Sequence, residues 1–313
     1  MNKLVKDTII KLFYCVGGLS MTRKLMNPYR GQAAIITYHR ILPSIKVNAN
    51  NSPNKGLIVT TERFDQQMRY LSEKYRLISM DELPHHLASS SDFSVAVTFD
   101  DGYKDNLTYA LPLLKKYSVP ATIYITTCLP EGDCQMWWYE LEELCDSLTS
   151  IAFTVKGKDY NFSMQDLTKR KRCFRKILNL IQSLSENEKK ILMDTIRRGR
   201  KPKQYRDYCL TWEEIQQLDE EPLITIGAHT HSHVNMKENA IDETRKEILA
   251  SKLLLEKHLG HTIDHLSYPY GTSEEVGSRE HAIVHECGFK TAVTSMCDSL
   301  KNNYQIYYLP RYN

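Results

Sequence analysis

The sequence predicts an α/β fold, an irregular barrel of about seven to eight parallel strands with helices between them. Three observations carry this. Short β-branched apolar runs recur along the chain, as in Ala33-Ala34-Ile35-Ile36-Thr37-Tyr38, Val95-Ala96-Val97 and Ala121-Thr122-Ile123-Tyr124-Ile125. Segments with apolar residues at helical spacing separate most of them, the rhythm of βαβ units and a parallel sheet. The 313 residues, 42% of them hydrophobic, are enough to bury the core of one enzyme-sized domain.

The elements follow in order. Lys3, Lys6 and Lys11 are interspersed with Val5, Ile9, Leu12, Phe13 and Val16, so residues 1–30 read as an N-terminal amphipathic helix. Its apolar run is far below the ~20 residues that span a bilayer and has no A-x-A cleavage site. It packs on the domain or lies on a membrane surface, which would make the contact a peripheral one. Residues 31–313 form the barrel. The strand Ala33–Tyr38 delivers His39 and Arg40 at its end, and Pro43 to Lys55, rich in Asn, Ser and Pro, is a loop. Thr61 to Tyr75 is helical, with Phe64, Met68 and Leu71 as its core face, and Arg76–Ser79 is a short strand. Asp81 caps the next helix. After the Val95 strand comes a helix from Asp105 to Tyr117, ended before Val119-Pro120.

Between residues 129 and 208 the rhythm breaks. Trp137-Trp138-Tyr139 opens a helical patch, and Leu167 to Arg200 is charged and helical in pattern. The run Lys169-Arg170-Lys171-Arg172 reads foremost as a solvated helix face. This is a helical insertion beside the barrel. The barrel resumes at Thr211, whose Glu214 partner makes a capping box. A strand at Leu223–Ile226 and a helix from Ile241 to Leu259, stopped by Gly260, come next. His265–Ser267, Lys290–Thr294 and Tyr307-Tyr308-Leu309 are the last strands.

Charge and cysteine usage narrow the class. A net charge of +3 does not argue for nucleic acid. The eight cysteines are scattered without a CxxC pair, so a reduced, cytoplasmic chain without structural disulfides is expected.

Chemistry concentrates at two strand ends. Thr98-Phe99-Asp100-Asp101-Gly102 follows one apolar run, and His229-Thr230-His231-Ser232-His233 follows another. Strand ends are where parallel α/β folds build their sites. One Asp and two His suit a catalytic divalent metal, and a second Asp beside the first suits a general base. Paired Asp after a strand also serves as a plain helix cap, but both clusters together at strand ends point to a metal-dependent hydrolase.

These residues resemble the polysaccharide deacetylase family, also called the NodB-homology or carbohydrate esterase 4 family. Thr98–Gly102 matches its first motif, His229-Thr230-x-x-His233 its second, and Ser267-Tyr268-Pro269-Tyr270-Gly271 the Y-P-Y-G form of its third. The opening Tyr38-His39-Arg40-Ile41 and closing Leu309-Pro310-Arg311 are similar to a branch of bacterial exopolysaccharide enzymes. The core motifs span 95–313. The resemblance implies a barrel of about seven β/α units. It implies that Asp101, His229 and His233 hold one divalent metal, most often zinc, and that Asp100 is the general base. It implies that Tyr270 offers a backbone N–H to the oxyanion, with Tyr268 beside it on the substrate side. The expected substrate is an acetylated polysaccharide or glycan.

Two departures stand out. No Arg occurs from Thr262 to Gly271, where the third motif often carries the one that orients the base, and Arg311 is the candidate replacement. The C-terminal Leu-His motif is absent, and His39 is the candidate acid, as in permuted members. Rival readings are a catalytically weak carbohydrate-binding domain and a metal amidase acting on a small molecule. Trp137, Trp138 and Tyr139 read as core packing or as a sugar-stacking surface.

Overall fold

Side-chain parity along the strands sets the layers of this molecule, a computed structural model that describes residues 33–47, 53–89, 92–132, 136–300 and 304–313. In chain order the strands are β1 (Ala33–Tyr38), β2 (Arg40–Leu42), β3 (Ile58–Thr60), β4 (Arg76–Leu77), β5 (Ser94–Phe99), β6 (Ala121–Ile125), β7 (Ser150–Val155), β8 (Lys158–Ser163), β9 (Ile224–Ala228), β10 (His265–Ser267) and β11 (Thr291–Val293). Seven of them make one parallel sheet in the order β1-β5-β6-β9-β10-β11, with β4 beside β5. Residues Ala33, Ile35, Ala96, Tyr124 and Val293 cluster on one face. Val95, Val97, Phe99, Ile123, Ile125 and Ile226 point the other way, against Phe64, Met68, Leu114, Ile215 and Ile248 of the surrounding helices. Because side chains alternate with a period of two, each strand feeds both an inner and an outer core. Gly227 is demanded by this packing, since a Cβ there would sit 2.5 Å from a ring carbon of Tyr124.

The sheet curls, and the C-terminal segment joins its two edges. Leu309 bridges Val293 of β11 and Tyr312 bridges Ile36 of β1, both in parallel. Thr37 N–H donates to Tyr312 O and Tyr312 N–H to Ile35 O, each at 2.8 Å. The α/β barrel expected from sequence is therefore the fold. Its final strand is reduced to these bridges, because Pro310 between them has no N–H to give.

Several local expectations change. The region around Pro43–Lys55 is not all loop at its margins: β2 and β3 pair in parallel. Asp81 caps nothing. Ser79 and Glu82 exchange the capping bonds instead, while Asp81 accepts from His265 and Thr225. Asp105 to Tyr117 splits into a π turn over Asn106–Ala110 and a helix over Leu111–Lys116. The predicted helices Thr61–Lys74, Trp212–Asp219 and Ile241–Leu259 are present, the last closed by Gly260 at φ 79°.

The segment read from sequence as a helical insertion contributes most of a second hydrophobic cluster, around Trp138, Leu141, Phe174, Ile177 and Ile196. It is not purely helical. Helices Trp137–Ser147, Leu167–Gln182 and Glu186–Arg197 flank an antiparallel hairpin of β7 and β8. The hairpin turns at Lys156-Gly157, with φ 49° and 73°, the signature of a two-residue turn whose twist matches the strands. Cys128 is disulfide-bonded, against the expectation of no structural disulfide. Cys145, Cys173, Cys209, Cys287 and Cys297 are outside any disulfide. The N-terminal helix predicted over residues 1–30 lies outside the described residues. Among the described residues no helix is long and apolar enough to cross a membrane.

Candidate metal centre and its cavity

Asp100 continues the inward parity of Ala96 and Thr98 beyond the end of β5. Asp101 breaks that parity by adopting φ 75°, and Gly102 follows at 79°. Consecutive carboxylates thereby enter one site from different directions. Thr230 and His233 at the end of β9 and Tyr270 after β10 also have positive φ, at 60°, 54° and 62°. Left-handed backbone in β-branched and aromatic residues is strained, and here it gathers at one place, as functional sites often show.

The loop from His229 to His233 is held from both sides. Thr127 and Cys128 donate their N–H groups to Thr230 O and His231 O, at 3.3 and 2.9 Å. Glu247 accepts from Ser232 N–H at 2.8 Å and Ser232 Oγ at 3.0 Å. The His229 and His233 Nε2 atoms both lie 3.4 Å from Asp101 Oδ1. One ligand atom from each of Asp101, His229 and His233 falls within 4.8 Å of the others. His231, between them, turns away and meets Thr127 Oγ1 at 3.0 Å.

A metal fits this trio on its own chemistry. Asp101 Oδ1 is buried and has no hydrogen-bond donor among the described residues. His229 Nδ1 lies 2.8 Å from the Ser267 carbonyl, so it carries the proton and leaves the Nε2 lone pair facing Asp101. Burial pushes the Asp101 carboxyl up, but the two imidazoles outweigh it and hold the group well below its usual range. For His233 burial prevails and lowers the imidazole, which favours the neutral, ligating form.

Asp100 sits against Arg311. Nη1 donates to Oδ1 at 2.8 Å and Nη2 to Oδ2 at 2.6 Å. The guanidinium is fixed in turn by Thr294 O, Thr98 Oγ1 and Ser267 Oγ. Burial raises the Asp100 carboxyl, Arg311 and His229 lower it, and the net direction is down.

These groups open into a cavity of about 540 Å³, lined also by His39, Tyr268, Tyr270, Trp137 and Trp138. His39 is fixed through its own carbonyl, which accepts from Asn106 Nδ2 at 2.9 Å. Tyr268 is buried, and its hydroxyl donates to Tyr307 O at 3.0 Å. Tyr270 packs edge-on against His233 at 4.9 Å, with Trp138 on that imidazole at 5.5 Å. Sequence reading missed Leu57, Phe174 and Leu178, which also line the cavity. Their only sequence signal is an apolar residue in a loop or helix, which does not distinguish a cavity wall from a core.

Comparison with known proteins agrees with the geometry. The fold is similar to the Streptococcus pyogenes deacetylase PplD in complex with acetate, with a TM-score of 0.58, 20% identity, and 90% of this chain and 91% of that one covered. It is also similar to IcaB from Ammonifex degensii, with a TM-score of 0.56, 19% identity and 90% of each chain covered. At such identities the likeness is one of fold. In sequence, 88 residues are 35% identical to YxkH of Bacillus subtilis (strain 168), named as a candidate polysaccharide deacetylase. That match spans 27% of this chain and only 31% of the relative's length. The polysaccharide deacetylase family model matches residues 88–153 and 179–292, more than half of the sequence, with both Asp-Asp and His-x-x-x-His inside the match. The chain belongs to the polysaccharide deacetylase family.

Proposed function

We propose that this protein is a metal-dependent hydrolase that removes N-acetyl or O-acetyl groups from a polysaccharide or glycan. The observation that carries the reading is the convergence of Asp101, His229 and His233 beside an Arg311-bound Asp100 in one cavity. Asp101 and the two imidazoles would hold the metal, with zinc the best match to one carboxylate and two nitrogens. A divalent ion so held polarises a carbonyl and makes water acidic enough to ionise near neutrality.

The chain's own residues do the rest. Asp100, kept ionised by Arg311, takes the proton from the attacking water. The Tyr270 N–H, which makes no hydrogen bond among the described residues, faces the developing oxyanion. The C–N bond then breaks, and His39 on the same cavity gives the leaving amine its proton. The water oxygen leaves in acetate. Cys128 bears on location: disulfides persist in oxidising compartments, so a cytoplasmic site is the weaker reading.

The test is acetate release from a panel of N- and O-acetylated glycans and small N-acetyl amides, with and without chelator. Chelator-sensitive release from glycans supports the reading. Release from small amides alone would make the protein a small-molecule amidase. Glycan binding without any release would make it a carbohydrate-binding barrel.

A further inference from the structure

A second cavity, of about 590 Å³, lies beside the first and shares its walls. The chain hands consecutive residues to the two sides. His39, Leu57 and Trp138 line the metal cavity, while their neighbours Arg40, Ile58 and Tyr139 line the second. Asn54 ties the partition together, with Nδ2 donating to Trp138 O at 3.2 Å and to Glu142 Oε2 at 2.6 Å.

The chemistry of the second cavity suits a neutral, hydroxyl-rich ligand. Its charges are largely paired already: Arg40 with Asp105 at 2.8 Å, Lys104 with Glu214 and Glu143 with Lys203. The charges left over are one of each sign, Asp207 and Lys55, so the lining favours neither an anion nor a cation. Three tyrosine rings, Tyr139, Tyr205 and Tyr208, meet at 5.2–5.7 Å. Arg40 lies over the Tyr139 and Tyr208 rings and Lys203 over Tyr205, and of the three only Tyr208, 36% exposed, presents an open part of its ring. Polar groups are left over. Tyr205 is 8% exposed, and its buried hydroxyl lies near the Glu143 carboxylate. Asp207 and Lys55 line the cavity and make no hydrogen bond or ion pair among the described residues. An exposed ring for the apolar face of a pyranose and polar groups for its hydroxyls are what a sugar site requires.

We propose that this second cavity binds another sugar unit of the same glycan whose acetylated unit occupies the metal cavity. The inference rests on the glycan reading above. Two linked contacts make binding depend on chain length, because the second unit is held at high effective concentration by the first.

Binding of a disaccharide and a hexasaccharide of the same N-acetylated glycan, measured calorimetrically on the full chain, tests this apart from turnover. The hexasaccharide should bind at least ~10-fold more tightly, the low side of what a second linked site adds. Asp207→Ala, at an exposed carboxylate, and Tyr208→Ala should each shrink that length advantage while leaving disaccharide affinity and chelator-sensitive acetate release from the disaccharide unchanged. Circular dichroism identifies a variant that has unfolded, and Lys55→Ala gives an independent reading. Equal affinity for both lengths in the unaltered protein, or an advantage that survives all three substitutions, overturns the proposal. If length-dependent binding is lost in the variants but no glycan is ever deacetylated, the second site stands and the hydrolase reading falls.

Discussion

Arg311 grips Asp100 through two parallel hydrogen bonds of 2.8 and 2.6 Å, joining residues 211 positions apart. Arg311 is 2% exposed, and the segment that carries it is the one that joins the two edges of the sheet. Closing the barrel and orienting the proposed base are thus one structural event.

Arg311→Met should destabilise the protein by ~3–5 kcal/mol, because it leaves a buried carboxylate unpaired. With its cation gone, burial dominates and the Asp100 carboxyl rises. The acid limb of kcat/KM should therefore move to higher pH. The sign for stability follows from the depressed carboxyl: its contribution is present above the ordinary value near ~4 and lost as pH falls through the lower folded value. Denaturant midpoints against pH, compared in the two proteins, check this. An unmoved acid limb in an intact variant would show that Asp100 is not the titrating base.

Asp100→Asn should keep the metal and lower turnover by ~10²–10⁴-fold, the usual range for a general base. Metal content by mass spectrometry and single-turnover kinetics separate the two effects. Unchanged turnover would falsify the assignment.

His233→Ala and His229→Ala should each lose the bound metal and, with it, acetate release. A crystal of the zinc-loaded protein should show Asp101 Oδ1 and both Nε2 atoms ~2.0–2.2 Å from one ion. Retention of one tightly bound ion in either variant would mean the ligands lie elsewhere.

His39→Ala should retain metal and fold but lose the basic limb of the pH–rate profile, since an acid must be protonated to act. Chemical rescue by imidazole strengthens the assignment. A profile identical to that of the unaltered protein would send the search for the acid to another residue.

Reducing the Cys128 disulfide should cost ~2–4 kcal/mol of stability. Because the Cys128 N–H holds the His231 carbonyl at 2.9 Å, metal affinity should weaken alongside. If thermal melts with and without reductant coincide, the bond does not brace the metal loop.

The sequence by itself determined which chemistry the molecule carries and the order of its barrel elements. Apolar runs with a period of two and carboxylates or imidazoles at their ends are local patterns, legible from neighbours in the chain. The capping box at Thr211 and Glu214 and the stop at Gly260 are equally local. Only the tertiary structure decided the rest. It brought Arg311 onto Asp100, set Ser267 O behind His229, paired β2 with β3 and placed Phe174 and Leu178 on the metal cavity. Each of these depends on residues far apart in sequence meeting at close range. That meeting is fixed by how the sheet curls and where its edges join, and no spacing rule along the chain encodes it.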